Sequence, residues 1–207
     1  MRFSKEQLIM LSESVKERLS EKRFNHTLSV QRSAERIGEY FKDIDLSELS
    51  AAALLHDVTK EISLDEQRTL FENNGLLLND EDRETTAIWH SLSAPLLIKR
   101  DFSEFATADV LSAVRNHTTG NPAMSVFDRI VFIADYVEEL RSYDSCIEVR
   151  SMLFSTLSEK NTAEENEYAL NKAVVASLGF TENEVLKRGR KLNYRSRETK
   201  EYFCRLI

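Results

Sequence analysis

The residues that punctuate loops and turns are scarce in this chain: five glycines and two prolines among 207 positions. No segment shows sustained apolar/polar alternation either, so a half-buried strand has nothing to support it, and the periodicity favours helices almost everywhere, about nine of them. Cysteine is nearly absent. Cys146 and Cys204 are far apart and lack CxxC or zinc-finger spacing, which excludes a disulfide framework and points to free thiols in a reducing compartment. Positive charge is in deficit, 28 Lys and Arg against 35 Asp and Glu for a net charge of -7, so a broad grip on nucleic acid or an anionic membrane is not expected. A small anionic substrate stays open where local cations or a metal offset the charge. No apolar run is long enough to cross a bilayer, and the stretch MRFSKEQLIMLSESVKERL is amphipathic, without the apolar centre of a signal peptide; the expected location is the cytoplasm.

What the chain does have is 42% hydrophobic and 30% charged residues, enough to bury one sizeable core. Helix starts are marked by a capping residue with an acidic or amide residue three positions on: Ser4 with Gln7, Asp45 with Glu48, Ser63 with Glu66, Ser125 with Asp128, Thr162 with Glu165 and Thr181 with Glu184, each able to satisfy two orphan amides. Gly75, Gly120 and Gly179 are expected at helix ends, and Pro95 in the first turn of a helix capped by Ser93, which leaves His90 in a loop. A soft boundary falls near Tyr143 to Glu148. The fold class is all-α, with residues 1-144 as a core and 145-207 as helices packed on it. The basic stretch NEVLKRGRKLNYRSRETKEYF has the pattern of an amphipathic helix, either a solvated face over a stripe of Val185, Leu186, Leu192 and Phe203 or a docking surface for a partner.

The four histidines and two aspartates carry the chemistry. In AAALLHDVTKEI an apolar helix ends in His56 and Asp57, and buried polar groups at such a place must be satisfied, by hydrogen bonds or by a metal. His26 is followed at helical spacing by Val30, Ala34, Ile37 and Phe41, and His117 is preceded by Val110, Leu111 and Val114, so both point toward the core. His90 sits beside Trp89, and Asp135 interrupts the apolar run RIVFIAD. A single inward histidine is usually a hydrogen-bonded core residue, but six N and O donors together exceed one tetrahedral ion and suit two divalent ions sharing a carboxylate.

The order H…HD…D, with the adjacent pair closing an apolar helix, resembles the signature of the HD-domain metal-dependent phosphohydrolases. The strings RFNHTLSV, LLHDVTKEI, IWHSLSAP, VRNHTTGNPAMS and IVFIADYVEELR are similar to the YqeK group, symmetrical hydrolases of diadenosine tetraphosphate that yield two ADP. The resemblance spans roughly Leu19 to Arg141. It implies a helical bundle around a dinuclear centre, one ion on His26, His56, Asp57 and Asp135, the other on His90 and His117, with Asp57 bridging and a hydroxide between the ions attacking phosphorus. Two divalent ions are the implied cofactor: iron first, with cobalt, manganese or zinc allowed by the donors. The alternatives are another nucleotide phosphohydrolase or phosphodiesterase of the same superfamily, an oxygen-activating di-iron relative, or a nucleotide-sensing module without catalysis. The implied ligand is a dinucleoside polyphosphate or nucleotide, and the chain a monomer or homodimer.

Grip on phosphates needs cations. Lys60, one turn beyond His56, is the first candidate, placed with Asp57 in the catalytic set; Arg23 and Arg141 are of the same kind. Thr118, Thr119 and Gly120 follow a ligand directly and would form either a phosphate-binding turn or a helix cap. Asn116 and Glu138 flank ligands and are expected either to orient an imidazole or to face solvent.

Overall fold

The computed structural model describes residues 1-207, in eleven α-helices and two short 3-10 turns with no strand. The helices are α1 Lys5–Lys16, α2 Glu21–Gly38, α3 Leu46–Leu55, α4 Leu64–Asn73, α5 Asp80–Glu84, α6 Trp89–Asp101, α7 Ala108–Asn116, α8 Val126–Val137, α9 Asp144–Thr156, α10 Ala163–Lys187 and α11 Tyr194–Cys204. Reciprocal capping boxes open α1, α4, α8 and α10 at Ser4, Ser63, Ser125 and Thr162. Asp45 caps α3 by accepting from the Ser47 and Glu48 amides. Each such cap holds two or more of the first-turn amides that the helix itself leaves unpaired.

Helix α3 is the axis of the bundle, buried at every position from Ser47 to Leu55. A helix apolar all round belongs at a centre, and here α1, α2, α7 and α8 pack around it. The faces read from the sequence are where they were expected: Val30, Ala34 and Ile37 are fully buried behind His26, and Val110 and Val114 behind His117. One contiguous hydrophobic cluster runs from Phe3 to Phe203, so the helices after residue 144 share the core of the rest. Helix α10 packs on α8, α9 and α11, and Arg129 of α8 bonds both Asn171 and Glu167 of α10, the latter at 2.9 Å.

Three expectations require correction. Helix α6 begins at Trp89 and holds Pro95 in its interior; Ser93 caps nothing, and its hydroxyl bonds Thr59, Gln67 and the His90 carbonyl. Proline inside a helix costs about 3 kcal/mol, which burial of the segment from Trp89 to Pro95 offsets. Helix α10 runs straight through Gly179 and Thr181, whose hydroxyl donates to the Ser177 carbonyl at 2.8 Å. Its buried face, from Ala169 to Leu178, outweighs the roughly 1 kcal/mol that one glycine costs. The basic stretch is two helices joined by a turn, because Gly189 adopts φ 68° and the Gly189 and Arg190 amides bond back to Leu186 and Val185, the paired bonds of a Schellman ending. Leu192 and Phe203 are buried, but Val185 is half-buried and Leu186 is 55% exposed. The inward face of α11, Ser196, Thr199 and Phe203, is covered by this chain itself, not by a partner.

Candidate metal centre

Two of the ligand candidates, His56 and His117, come from helix ends, and the local chemistry there fixes their ring orientation. His56 follows the last residue of α3 and His117 the last of α7, where backbone carbonyls lack helical partners. Each imidazole uses Nδ1–H to fill one of those gaps, His56 to the Ala53 carbonyl and His117 to the Val114 carbonyl, both at 2.7 Å. A carbonyl only accepts, so the proton is on Nδ1 and the lone pair on Nε2. His26, in the second turn of α2, places Nδ1 3.2 Å from Glu138 Oε1. In all three the second nitrogen is turned the same way.

Those nitrogens converge with two carboxylates. Asp57 Oδ2 lies 3.5 Å from His56 Nε2 and 3.9 Å from His26 Nε2, while Asp57 Oδ1 lies 3.4 Å from His90 Nε2 and 3.6 Å from His117 Nε2. Asp135 Oδ1 is 3.1 Å from His26 Nε2 and 4.0 Å from His56 Nε2. His90, in the first turn of α6 rather than in a loop, brings Nε2 to 3.1 Å from His117 Nε2. All six candidates therefore meet in one place, and Asp57 stands between two groups of nitrogens.

The donor set fits divalent ions on three counts. His56 Nε2 is buried without a hydrogen-bond partner, its shortest carboxylate approach being 3.5 Å, a costly state for a polar atom that nothing will meet. Three overlapping triads, His26-His56-Asp57, His56-His117-Asp135 and Asp57-His90-His117, each bring their donor atoms within 4.8 Å of one another. The 3.1 Å between His90 and His117 nitrogens is the separation of two neighbouring ligands on an ion about 2.0 to 2.1 Å from each.

Electrostatics agree. Burial works against charge on His26, yet the Asp135 and Glu138 carboxylates carry its pKa up to about 9; an ion bound there would have to displace that proton. Burial also opposes ionisation of Asp57 and Asp135, but the surrounding imidazoles and, for Asp135, the Arg141 guanidinium hold both well below the usual carboxylate range. His90 is pushed well below its ordinary value, by burial first, which leaves its ring neutral and able to ligate.

The three candidate cations sit beside the carboxylates and His90. Arg23 Nη1 is 2.8 Å from Asp57 Oδ2, Arg141 Nη2 is 2.6 Å from Asp135 Oδ1, and Lys60 Nζ is 3.2 and 3.1 Å from the two ring nitrogens of His90. Burial lowers the Lys60 pKa, with Asp57 and Asp135 pulling the other way. Thr118 Oγ1 is 2.9 Å from His90 Nε2 and 3.0 Å from His117 Nε2, inside the centre. The turn after it behaves differently. The Gly120 amide bonds the Asn116 carbonyl at 2.8 Å, so of the two roles open for Gly120 it has the helix cap and has no amide to offer a phosphate. Thr119 is buried, its hydroxyl 3.3 Å from the Gly120 carbonyl. Asn116 turns to Ser112 and Asp128, away from any imidazole.

Glu138 is fully committed to the centre: buried, on His26 through one oxygen and on the Leu140 amide at 2.7 Å through the other. Tyr136, Leu178 and Thr181 also line the pocket of about 230 Å³ around the ligands. No expectation singled them out as site residues. Tyr136 carries a signal in its place next to Asp135; the two α10 residues are distant in sequence and carry none.

Comparison with known proteins gives a consistent set. The HD-domain family model matches residues 23–140. A Bacillus subtilis protein named symmetrical bis(5'-nucleosyl)-tetraphosphatase is 28% identical over 145 residues, 70% of this chain and 76% of its own length. A Staphylococcus aureus protein of the same name is 30% identical over 163 residues, 79% and 80% of the two lengths. The crystal structure of a predicted HD superfamily hydrolase involved in NAD metabolism from Clostridium acetobutylicum superposes with a TM-score of 0.83 at 28% identity, covering 99% of each chain.

Proposed function

The chain belongs to the HD-domain family, in the branch of the symmetrical bis(5'-nucleosyl)-tetraphosphatases, and from that membership we propose that this hydrolase cleaves diadenosine tetraphosphate at its central bridge to give two ADP. The observation that carries the reading is the placement of Asp57, whose two oxygens address different pairs of histidines. In this reading His26, His56, Asp57 and Asp135 would hold one ion and His90, His117 and the second oxygen of Asp57 the other. Iron is the ion we assign. Two ions so held would act as Lewis acids on a phosphoryl oxygen and lower the pKa of water.

The protein's own groups do the rest. Nδ1–H bonds to the Ala53 and Val114 carbonyls keep His56 and His117 in the tautomer whose lone pair faces inward, and Glu138 does the same for His26. Arg23, Lys60 and Arg141 ring the carboxylates and would receive the negative oxygens of the tetraphosphate, as charge-assisted donors do for phosphates generally. Thr118 adds a hydroxyl between His90 and His117. The leaving ADP is already a stable anion, so no further acid is assigned. Residues 1-144 form the hydrolase core, with 145-207 as helices packed on it.

The direct test is product analysis. The protein is stripped with chelator, reloaded with ferrous iron or cobalt, and given diadenosine tetraphosphate. ADP alone is expected. AMP with ATP would move the cut to an outer bridge, and no product would refute the assignment.

A further inference from the structure

Beside the metal pocket lies a second, larger cavity of about 1160 Å³ between the α5 to α6 segment and the α10 to α11 connection. The two adjoin, since Thr118 and Thr181 line both. Their sizes divide the labour. Small-molecule sites usually run from about 300 to 1,000 Å³, so the 230 Å³ around the candidate ligands is small for a whole nucleotide, whereas its neighbour has ample room for one.

Charge points the same way. Glu81 is bonded by Arg197 and Glu182 by Lys200, so these acids are neutralised at the wall. Arg188, Arg190 and Lys191, all exposed and in no ion pair, line the same cavity, where Glu84 is the one lining acid without an ion-pair partner. A chain of net charge -7 thus presents a local positive rim beside its candidate active centre. The rim is held out over the cavity by the left-handed turn at Gly189, and next to it Leu186, 55% exposed, and half-buried Val185 offer an apolar face. Anion donors beside an uncovered apolar surface, one step from a phosphate-cutting centre, match a nucleotide: phosphates on the cations, base or ribose on the aliphatic side chains.

We propose that this cavity is the subsite for one nucleoside phosphate half of the substrate, with Arg188, Arg190 and Lys191 as its phosphate contacts and Leu186 as its apolar wall. The inference rests on the function proposed above and adds to it that the helices after residue 144 are part of the substrate site. A bridge cut in the middle must have a half to either side of Asp57, and this cavity takes one of them.

The test uses the full-length, metal-loaded protein and the triple variant Arg188→Ala, Arg190→Ala, Lys191→Ala, all surface changes. KM for diadenosine tetraphosphate should rise at least about tenfold while kcat changes less than about twofold, and the dependence of KM on salt should flatten. Leu186→Glu should raise KM alone. Wild-type KM and salt dependence in the triple variant would overturn the assignment. If the wild type cuts no dinucleoside tetraphosphate, the proposed function falls, and equilibrium binding of ADP then decides the cavity by itself. Binding weakened about tenfold by the triple variant would uphold it; equal binding, or none by the wild type, would overturn it.

Discussion

The two adjoining cavities are built on opposite plans. In the metal pocket the candidate ligands are His56 and His117 at the ends of helices, His26, His90 and Asp135 within them, and Asp57 directly after His56, and the ring orientation of three histidines is set by a fixed hydrogen bond. The large cavity is walled by a short 3-10 turn, the exposed turn around Gly189 with its long cationic side chains, and faces of α5, α10 and α11. The contrast follows from what each must hold. Ions demand positions good to a fraction of an ångström, which rigid elements supply; a nucleotide half of many rotatable bonds is held as well by adaptable side chains.

That contrast can be broken experimentally. Asp57→Ala removes the one carboxylate that faces both nitrogen pairs, so both ions and at least about 10³-fold of turnover should be lost with helical circular dichroism kept; retained turnover would remove Asp57 from the bridging role. His56→Ala and His117→Ala should each lower metal content selectively, as metal analysis of the two proteins would show, with turnover down about a hundredfold or more. Loss of both ions in either would mean the two positions are not separable. Glu138→Gln keeps the shape but weakens the hold on His26; metal affinity should fall about 10- to 100-fold while KM at saturating metal stays put. Lys60→Ala should raise KM about tenfold with metal content intact, and unchanged kinetics would take Lys60 out of the site. Smallest in activity is Gly120→Ala: φ is 69° and an added Cβ would come within 2.6 Å of Thr199 Cγ2, so stability should drop by about 1 to 3 kcal/mol, read as a lower midpoint in thermal unfolding.

The difference between the cavities also explains what could be foreseen. Most of the precise one was legible, because His26, His56, His117 and Asp135 interrupt or end apolar faces that must be buried, and a buried donor leaves a mark in the pattern; His90, read into a loop, lies in the first turn of α6. Glu138 was visible only as a neighbour of Asp135, since an acid in a charged run looks like surface; its burial is decided by His26, 112 residues away. Where tertiary packing competes with local propensity the sequence misled. Pro95 and Gly179 look like breaks, yet both lie inside helices whose burial outweighs them. The adaptable cavity was visible only as the basic stretch NEVLKRGRKLNYRSRETKEYF, without its partner wall, since its walls come from segments about a hundred residues apart.

One contact has a consequence in time. The turn that carries His117 and Thr118 is backed by α11: Thr199, 80 residues later in the chain than Thr119, donates its hydroxyl proton to the Arg195 carbonyl at 2.7 Å, places that oxygen 3.4 Å from the Thr119 carbonyl, and packs against Gly120. A ribosome delivers the chain in order, at about 5 to 20 residues per second, so His26, His56, Asp57, His90, His117 and Asp135 all emerge before the element that steadies one of them. The final shape of the ligand cluster is therefore a late event in biosynthesis, reached only when α11 has docked.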